Sequence, residues 1–240
     1  MTHSRLTAVL FDMDGVVTDT ATAHFASWKQ LFDAYLRARA GGDAFEPFTE
    51  AEYRRYVDGK PRYDGVMSFL ASRDIWLPHG DADDDPARET ICGLGNRKNR
   101  HFNAWLDDNR TEPFPGTLAL IAKLKAAGVK IAVFSSSRNA EAVLRSAGVL
   151  DLFDARVDGR DMAALGLPGK PDPAILRQSL ERLGARVEGA AVVEDASSGV
   201  EAGVRGGFSP VIGVAREGHR GELVDAGADI VVADLGELDF

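Results

Sequence analysis

From residue 115 onward the chain alternates short apolar runs with segments of helical period, and this alternation restricts its fold more than any other feature. PGTLALIAKLKAAG has Pro115 suited to a first helical turn and Gly128 suited to a C-terminal cap. VKIAVFSSS follows as an apolar strand ending in hydroxyls, and RNAEAVLRSAG reads as a helix closed by Gly148. PDPAILRQSLERLG offers Asp172 as an N-cap and Pro173 as its first helical residue. It collects Ile175, Leu176, Leu180 and Leu183 on one face. AAVVED, a helix in SSGVEAGVRGG, PVIGV, a helix near 219–226 and DIVVA complete the series. With Leu6–Leu10 as the first strand, the pattern predicts an α/β fold. Its core is a Rossmann-like, doubly wound parallel sheet with helices on both faces.

Residues 20–110 have a different texture. Phe25, Trp28, Leu31, Phe32, Tyr35 and Leu36 recur at helical spacing over residues 20–39. Helical stretches follow near 49–57, 63–73 and 87–109, with no convincing strand among them. The expected organisation is an α/β core of residues 1–18 and 111–240, interrupted by an all-helical cap domain of residues 19–110. The acidic stretch GDADDDPARE, residues 80–89, lacks the ligand spacing of an EF-hand and reads as a solvated loop.

Composition excludes several classes. Hydrophobic residues make up 45% and charged residues 27%, the balance of an ordinary globular protein. A net charge of -9 with no dense Lys/Arg block argues against a nucleic-acid partner. No apolar run approaches the length of a membrane span, and the N-terminus lacks a signal-peptide layout, so no membrane partner and a cytoplasmic location are expected. The single cysteine, Cys92, cannot form an intramolecular disulfide and suits a reducing compartment. With no histidine evident beside it in sequence, it is not expected to be a nucleophile.

The chemistry begins in FDMDGVVTD, residues 11–19. Asp12 and Asp14 stand two apart directly after an apolar strand. In an extended chain such residues point to the same face. Converging carboxylates repel unless a positive charge lies between them. Ligands of open parallel sheets bind beyond the carboxyl ends of the strands. Four such ends are expected to carry polar signals: Asp12 and Asp14, Ser135-Ser136-Ser137, Lys170 in GKPDP, and Glu194-Asp195. Mg²⁺, which favours one or two carboxylates together with waters and phosphate oxygens, fits Asp12 and Asp195 with Glu194 nearby. Ser135 and Lys170 would then neutralise and orient a phosphate. This is an arrangement for phosphoryl transfer, with Asp12 as nucleophile and Asp14 as general acid and base. Gly15 permits the sharp turn that lifts Asp14 above the sheet.

These motifs, DxD, then serine, then lysine, then an acidic pair, resemble those of the haloacid dehalogenase superfamily over essentially the whole chain. Within it, DMDGVVTDTATAHFASWK, SSSRN, GKPDP and VVEDASSGVEA look most like the β-phosphoglucomutase-like family. The resemblance implies a Mg²⁺-dependent sugar phosphomutase passing through an aspartyl-phosphate and a glucose 1,6-bisphosphate; the alternative is a phosphatase of small phosphomonoesters. It implies a sugar-phosphate substrate and a monomer. It assigns the second phosphate to Arg62, Ser137, Arg138 and Asn139. Lys98 matches a cap lysine reaching the active site, His24 a residue of cap closure, and Asp14 a metal ligand through its backbone carbonyl. Trp28 is read as core. The segment near residues 74–92 departs from the family pattern in length and composition.

Overall fold

The computed structural model describes residues 6–216 and 218–238. The chain forms two compact units, one of Met1–Asp19, Gly59–Pro61 and Thr111–Phe240, the other of Thr20–Asp58 and Arg62–Arg110.

The first unit is built on six parallel strands: β1 (Ala8–Asp12), β2 (Lys130–Phe134), β3 (Ala155–Val157), β4 (Ala190–Glu194), β5 (Val211–Val214) and β6 (Ile230–Val232). Their spatial order is β3-β2-β1-β4-β5-β6, the doubly wound arrangement whose direction of winding reverses between β1 and β4. β1 lies in the centre, with Phe11 opposite Val133 on one side and Val193 on the other. All five of its residues are buried. Such continuous apolarity is what a strand covered on both faces requires. On one face Leu10, Phe134 and Val192 pack with Leu176 and Leu180 of α8 (Ala174–Leu183) and Val200 of α9 (Ser197–Gly206). The alternate residues Val9, Phe11, Ile131 and Val133 are equally buried. On their side of the core Leu120, Ile121 and Leu124 of α5 (Pro115–Ala126) are buried as well.

Three sequence expectations need correction here. The stretch between α6 (Ala140–Ser146) and Lys170 holds the edge strand β3 and helix α7 (Gly159–Leu165), neither expected. β3 is only three residues long, ARV, too short to carry a periodic signal. Lys170 therefore does not end a strand. It lies in the loop between α7 and α8. At the start of α8, Pro173 is the N-cap itself, while Asp172 accepts a hydrogen bond from the Ala174 amide at 2.9 Å.

The second unit contains α1 (Ala21–Arg39), α2 (Glu50–Tyr56), α3 (Arg62–Ser72) and α4 (Ile91–Asp108). Its centre is aromatic: Phe32 lies 4.2 Å from Phe69, 4.9 Å from Phe48 and 5.3 Å from Trp28, ring centroid to centroid. Trp28 is core, as its spacing implies. The acidic stretch is not a simply solvated loop. Asp84 is buried and accepts from the Thr90 hydroxyl at 2.6 Å and from Arg88 at 2.5 Å, while Thr90 caps α4. Helix α4 consequently begins at Ile91, four residues later than its composition suggests. Cys92 is buried with its Sγ 3.7 Å from His79 Nδ1, a histidine that the linear sequence did not bring to notice. Among the described residues no helix is long and apolar enough to cross a membrane.

Phe32 is fully buried at the meeting point of these rings. Phe32→Ala should therefore destabilise the protein by about 3–5 kcal/mol, as expected for deleting a buried aromatic side chain. The midpoint of urea unfolding checks this, and a shift below about 1 kcal/mol would mean that the cluster repacks.

Candidate active site

The carboxyl ends of β1 and β4 flank the point where the sheet winding reverses. Asp12 is the last residue of β1 and Glu194 the last of β4, with Asp195 following. Their side chains are brought together by the sheet register and not by sequence proximity. One oxygen from each of Asp12, Glu194 and Asp195 lies within 4.8 Å of the others. Into this group the loop before α8 inserts Lys170, whose Nζ donates to Asp12 Oδ1 at 2.6 Å and to Glu194 Oε1. Lysine and both acceptors are buried.

The local sequence around Glu194 accommodates this geometry. Its second oxygen accepts from the Ala196 amide at 3.2 Å. A Cβ at residue 199 would lie 1.9 Å from Glu194 Oε1, so any side chain in place of Gly199 in EDASSG would displace the Glu194 carboxylate from Lys170. Sequence reasoning had not singled out this glycine; its place two residues into the helix that follows the acidic pair is the signal that marks it.

Electrostatics point to a deficit of positive charge. Burial alone would lower the Lys170 pKa. The charges of Asp12 and Glu194, with the hydrogen bonds it gives them, outweigh that and raise it, so the ammonium keeps its proton. At Asp12, burial and the neighbouring Glu194 charge raise the carboxyl well above the usual carboxylate range, against the opposing pull of Lys170. Three carboxyl groups gather around one ammonium that pairs with two of them, a local excess of acidic groups. An all-oxygen donor set with this excess matches a hard divalent cation. The residues present therefore fit Mg²⁺, and Asp12, Glu194 and Asp195 are the ones that would hold it.

Asp14 is set apart from this trio. The chain turns sharply after β1: the Gly15 amide donates to Thr18 O at 2.8 Å, and the Val17 and Thr18 amides both donate to Met13 O at 2.9 Å. Gly15 has φ +79°, a backbone conformation that favours glycine. The turn presents Asp14, half-buried, to Ser135 at the end of β2, whose hydroxyl donates to Asp14 Oδ2 at 3.4 Å. A metal-binding role for Asp14 would fall to its backbone carbonyl, since its carboxylate is outside the cluster.

The remaining residues of SSSRN form a hydrogen-bonded loop leading into α6. The Ser137 amide donates to Ser135 Oγ at 3.0 Å, and the Asn139 amide donates to Ser137 Oγ at 3.1 Å. Ser136 Oγ donates to Gly59 O at 2.8 Å. Arg138 offers its carbonyl to Arg160 Nε at 3.0 Å.

In the helical unit, Lys98 is buried rather than lying on a solvated helix face. Its Nζ lies 2.8 Å from His24 Nδ1 and over the rings of Trp28 and Phe102, 5.1 and 4.7 Å from their centroids. Arg62, the first residue of α3, donates to Asn99 Oδ1 at 2.7 Å. The structure thus brings His24 to Lys98, and Arg62 to the residue following it.

Comparison with known proteins agrees with this chemistry. The haloacid dehalogenase-like hydrolase family matches residues 6–207. A β-phosphoglucomutase of Mycobacterium tuberculosis is 45% identical over 98% of this chain and 92% of its own length. A phosphorylated carbohydrates phosphatase of Thermotoga maritima is 30% identical over 94% of this chain and 93% of its own. Among solved structures, β-phosphoglucomutase from Clostridium difficile aligns with a TM-score of 0.75 at 25% identity, covering 98% of this chain and 94% of that one.

Because Lys170 is the one cation hydrogen-bonded to both Asp12 and Glu194 among the described residues, Lys170→Met should leave buried carboxylates uncompensated. The expected cost is about 3–5 kcal/mol, the usual consequence of removing one partner of a buried ion pair. Urea unfolding in metal-free buffer measures it, and an unchanged midpoint would contradict the electrostatic account.

Proposed function

The chain belongs to the haloacid dehalogenase superfamily, within its β-phosphoglucomutase-like family, and on that premise we propose that it is a phosphomutase interconverting β-D-glucose 1-phosphate and glucose 6-phosphate. The observation that carries this reading is the 45% identity, over nearly the full length, to the mycobacterial β-phosphoglucomutase. In this reading an Asp12 carboxylate oxygen attacks phosphorus, an Asp12–phosphate bond forms, and the bond from phosphorus to the donor oxygen breaks. Asp14 gives its proton to that departing oxygen. In the second half-reaction Asp14 takes a proton from the sugar's other hydroxyl, which recovers the phosphoryl group from Asp12. A glucose 1,6-bisphosphate connects the two halves.

Ser135 donates a hydrogen bond to the transferring phosphate, and the Lys170 ammonium offsets its charge. Asp12, Glu194 and Asp195, with the Asp14 carbonyl, would hold Mg²⁺, which would supply the positive charge that these acids lack and that an arriving phosphate requires. Arg62 is assigned to the phosphate that is not transferred, with Ser137, Arg138 and Asn139 as further contacts. A planar guanidinium suits that task because it can donate two parallel hydrogen bonds. Lys98 and His24, already paired, are assigned to sugar binding. A phosphatase, in which water recovers the phosphoryl group from Asp12, is the second reading, favoured by the Thermotoga relative.

Incubation with β-glucose 1-phosphate, Mg²⁺ and a trace of glucose 1,6-bisphosphate separates the two. Glucose 6-phosphate without stoichiometric inorganic phosphate is the expected result, and it should disappear in Asp12→Asn. Free glucose with phosphate would overturn the mutase reading.

The metal assignment has its own test. At about a hundredfold excess over its Kd, Mg²⁺ should add about 2.7 kcal/mol to wild-type stability in urea unfolding. Asp195→Asn should lose most of that increment at the same concentration. An equal increment in both proteins would place the cation elsewhere.

A further inference from the structure

The turn that carries Asp14 is braced from outside by a residue with no part in the chemistry described so far. Arg216 lies just beyond the end of β5, and its Nε donates to Gly15 O at 3.0 Å. Gly15 is the residue after Asp14, so this bond holds the Gly15–Val16 peptide unit, one unit beyond the one that joins Gly15 to the proposed acid and base. The guanidinium is itself held on two more sides. Nη1 pairs with Asp234 Oδ2 at 2.8 Å, and the group lies 3.4 Å from the centroid of the Phe114 ring.

Each of these supports is anchored in turn. Asp234 caps the short 3₁₀ turn Leu235–Glu237, accepting from the Gly236 amide at 2.7 Å. A Cβ at residue 116 would lie 1.7 Å from Asp234 Oδ1, so Gly116 leaves the space the carboxylate occupies. The Phe114 amide donates to Val17 O at 3.0 Å, and the Thr117 hydroxyl donates to Val16 O at 2.7 Å. The segment 114–117 therefore clasps the second half of the same turn whose first half Arg216 holds. The turn has a glycine with φ +79°, the residue type least restricted by its own sterics, so these outside contacts add to the turn's internal hydrogen bonds in fixing it.

We infer that Arg216, oriented by Asp234 and Phe114, is a positioning residue that fixes the Asp14 turn for proton transfer. Direct contact with substrate is not required of it. A general acid and base depends on placement to a fraction of an ångström, whereas a nucleophile seated at the end of a central strand does not depend on this brace. The inference rests on the acid–base role proposed for Asp14, and its consequence is selective. Steps that need a proton moved should suffer when Arg216 is lost; formation of the Asp12–phosphate bond from a donor whose leaving group departs unprotonated should not.

The test compares wild type, Arg216→Ala, Arg216→Lys and Asp14→Ala in two reactions. One is turnover of β-glucose 1-phosphate. The other is phosphoryl-enzyme formation from acetyl phosphate, followed by intact mass, in which acetate leaves without needing a proton. Arg216→Ala should lower kcat for the sugar by about 10²-fold, the scale of a 1 Å misplacement. Its KM and its rate with acetyl phosphate should stay within about threefold of wild type. Arg216→Lys, which keeps one donor, should recover part of kcat. Asp14→Ala should show the same split more strongly, roughly 10²–10⁴-fold. Should Arg216→Ala fail to fold, Asp234→Asn keeps the cap and the arginine while removing the charge that orients it, and should give a smaller split of the same kind.

Equal losses in the two reactions, or none in either, would overturn the positioning role. A split in Asp14→Ala without one in the Arg216 and Asp234 variants would overturn this inference and leave the assigned role of Asp14 standing. No split in Asp14→Ala would instead overturn that role and the inference with it.

Discussion

A single buried ammonium between two strand ends organises the candidate site. Lys170 bridges Asp12, the last residue of β1, and Glu194, the last residue of β4. Without it, two adjacent parallel strands would end in carboxylates turned toward one another in a water-poor place. Desolvation would then drive protons onto them and remove the charges the site depends on. The ion pair also holds the loop between α7 and α8 to the sheet, since Lys170 comes from that loop and both of its acceptors are strand termini.

The compensation is deliberately incomplete in its consequences for ligands. One ammonium does not balance Asp12, Glu194 and Asp195, and the raised pKa of Asp12 expresses the remainder. A divalent cation would offset that remainder and favour the ionised form of Asp12. The ionisation of Asp12 and the affinity for a cation would thus be linked through one electrostatic balance. Asp14, the proposed acid and base, lies outside the carboxylate trio at the turn around Gly15 and faces Ser135, though its charge still reaches Asp12. Two aspartates two residues apart therefore meet different surroundings, the condition under which neighbouring carboxyl groups can take different tasks.

The helical unit follows a separate logic. Its stability comes from an aromatic centre around Phe32, Phe48 and Phe69, where ring packing supplies both buried area and preferred geometry. Lys98 is carried into the flank of that apolar region. There two aromatic faces and the His24 imidazole surround the ammonium. A cation held this way has little freedom of direction.

Much of this was legible in the residues themselves. The alternation of short apolar runs with helical periods pointed to a parallel sheet covered by helices, because strands buried on both faces read as continuous apolar runs. Asp12, Ser135 and Glu194-Asp195 were marked by being polar at the ends of apolar strands. The short edge strand β3 escaped because three residues, one of them Arg156, have no readable period. Lys170 was found by its motif but misplaced at a strand end, since nothing local distinguishes a loop that returns to the sheet from one that leaves it. The burial of Asp84 was equally hidden: among several acids in a row, only the fold selects the one that meets Thr90 and Arg88. Tertiary structure alone decided the Lys170 bridge and the reach of Arg216 to Gly15 across some two hundred residues. Each depends on a distance of a few ångströms between segments far apart in the chain, which composition and periodicity do not encode.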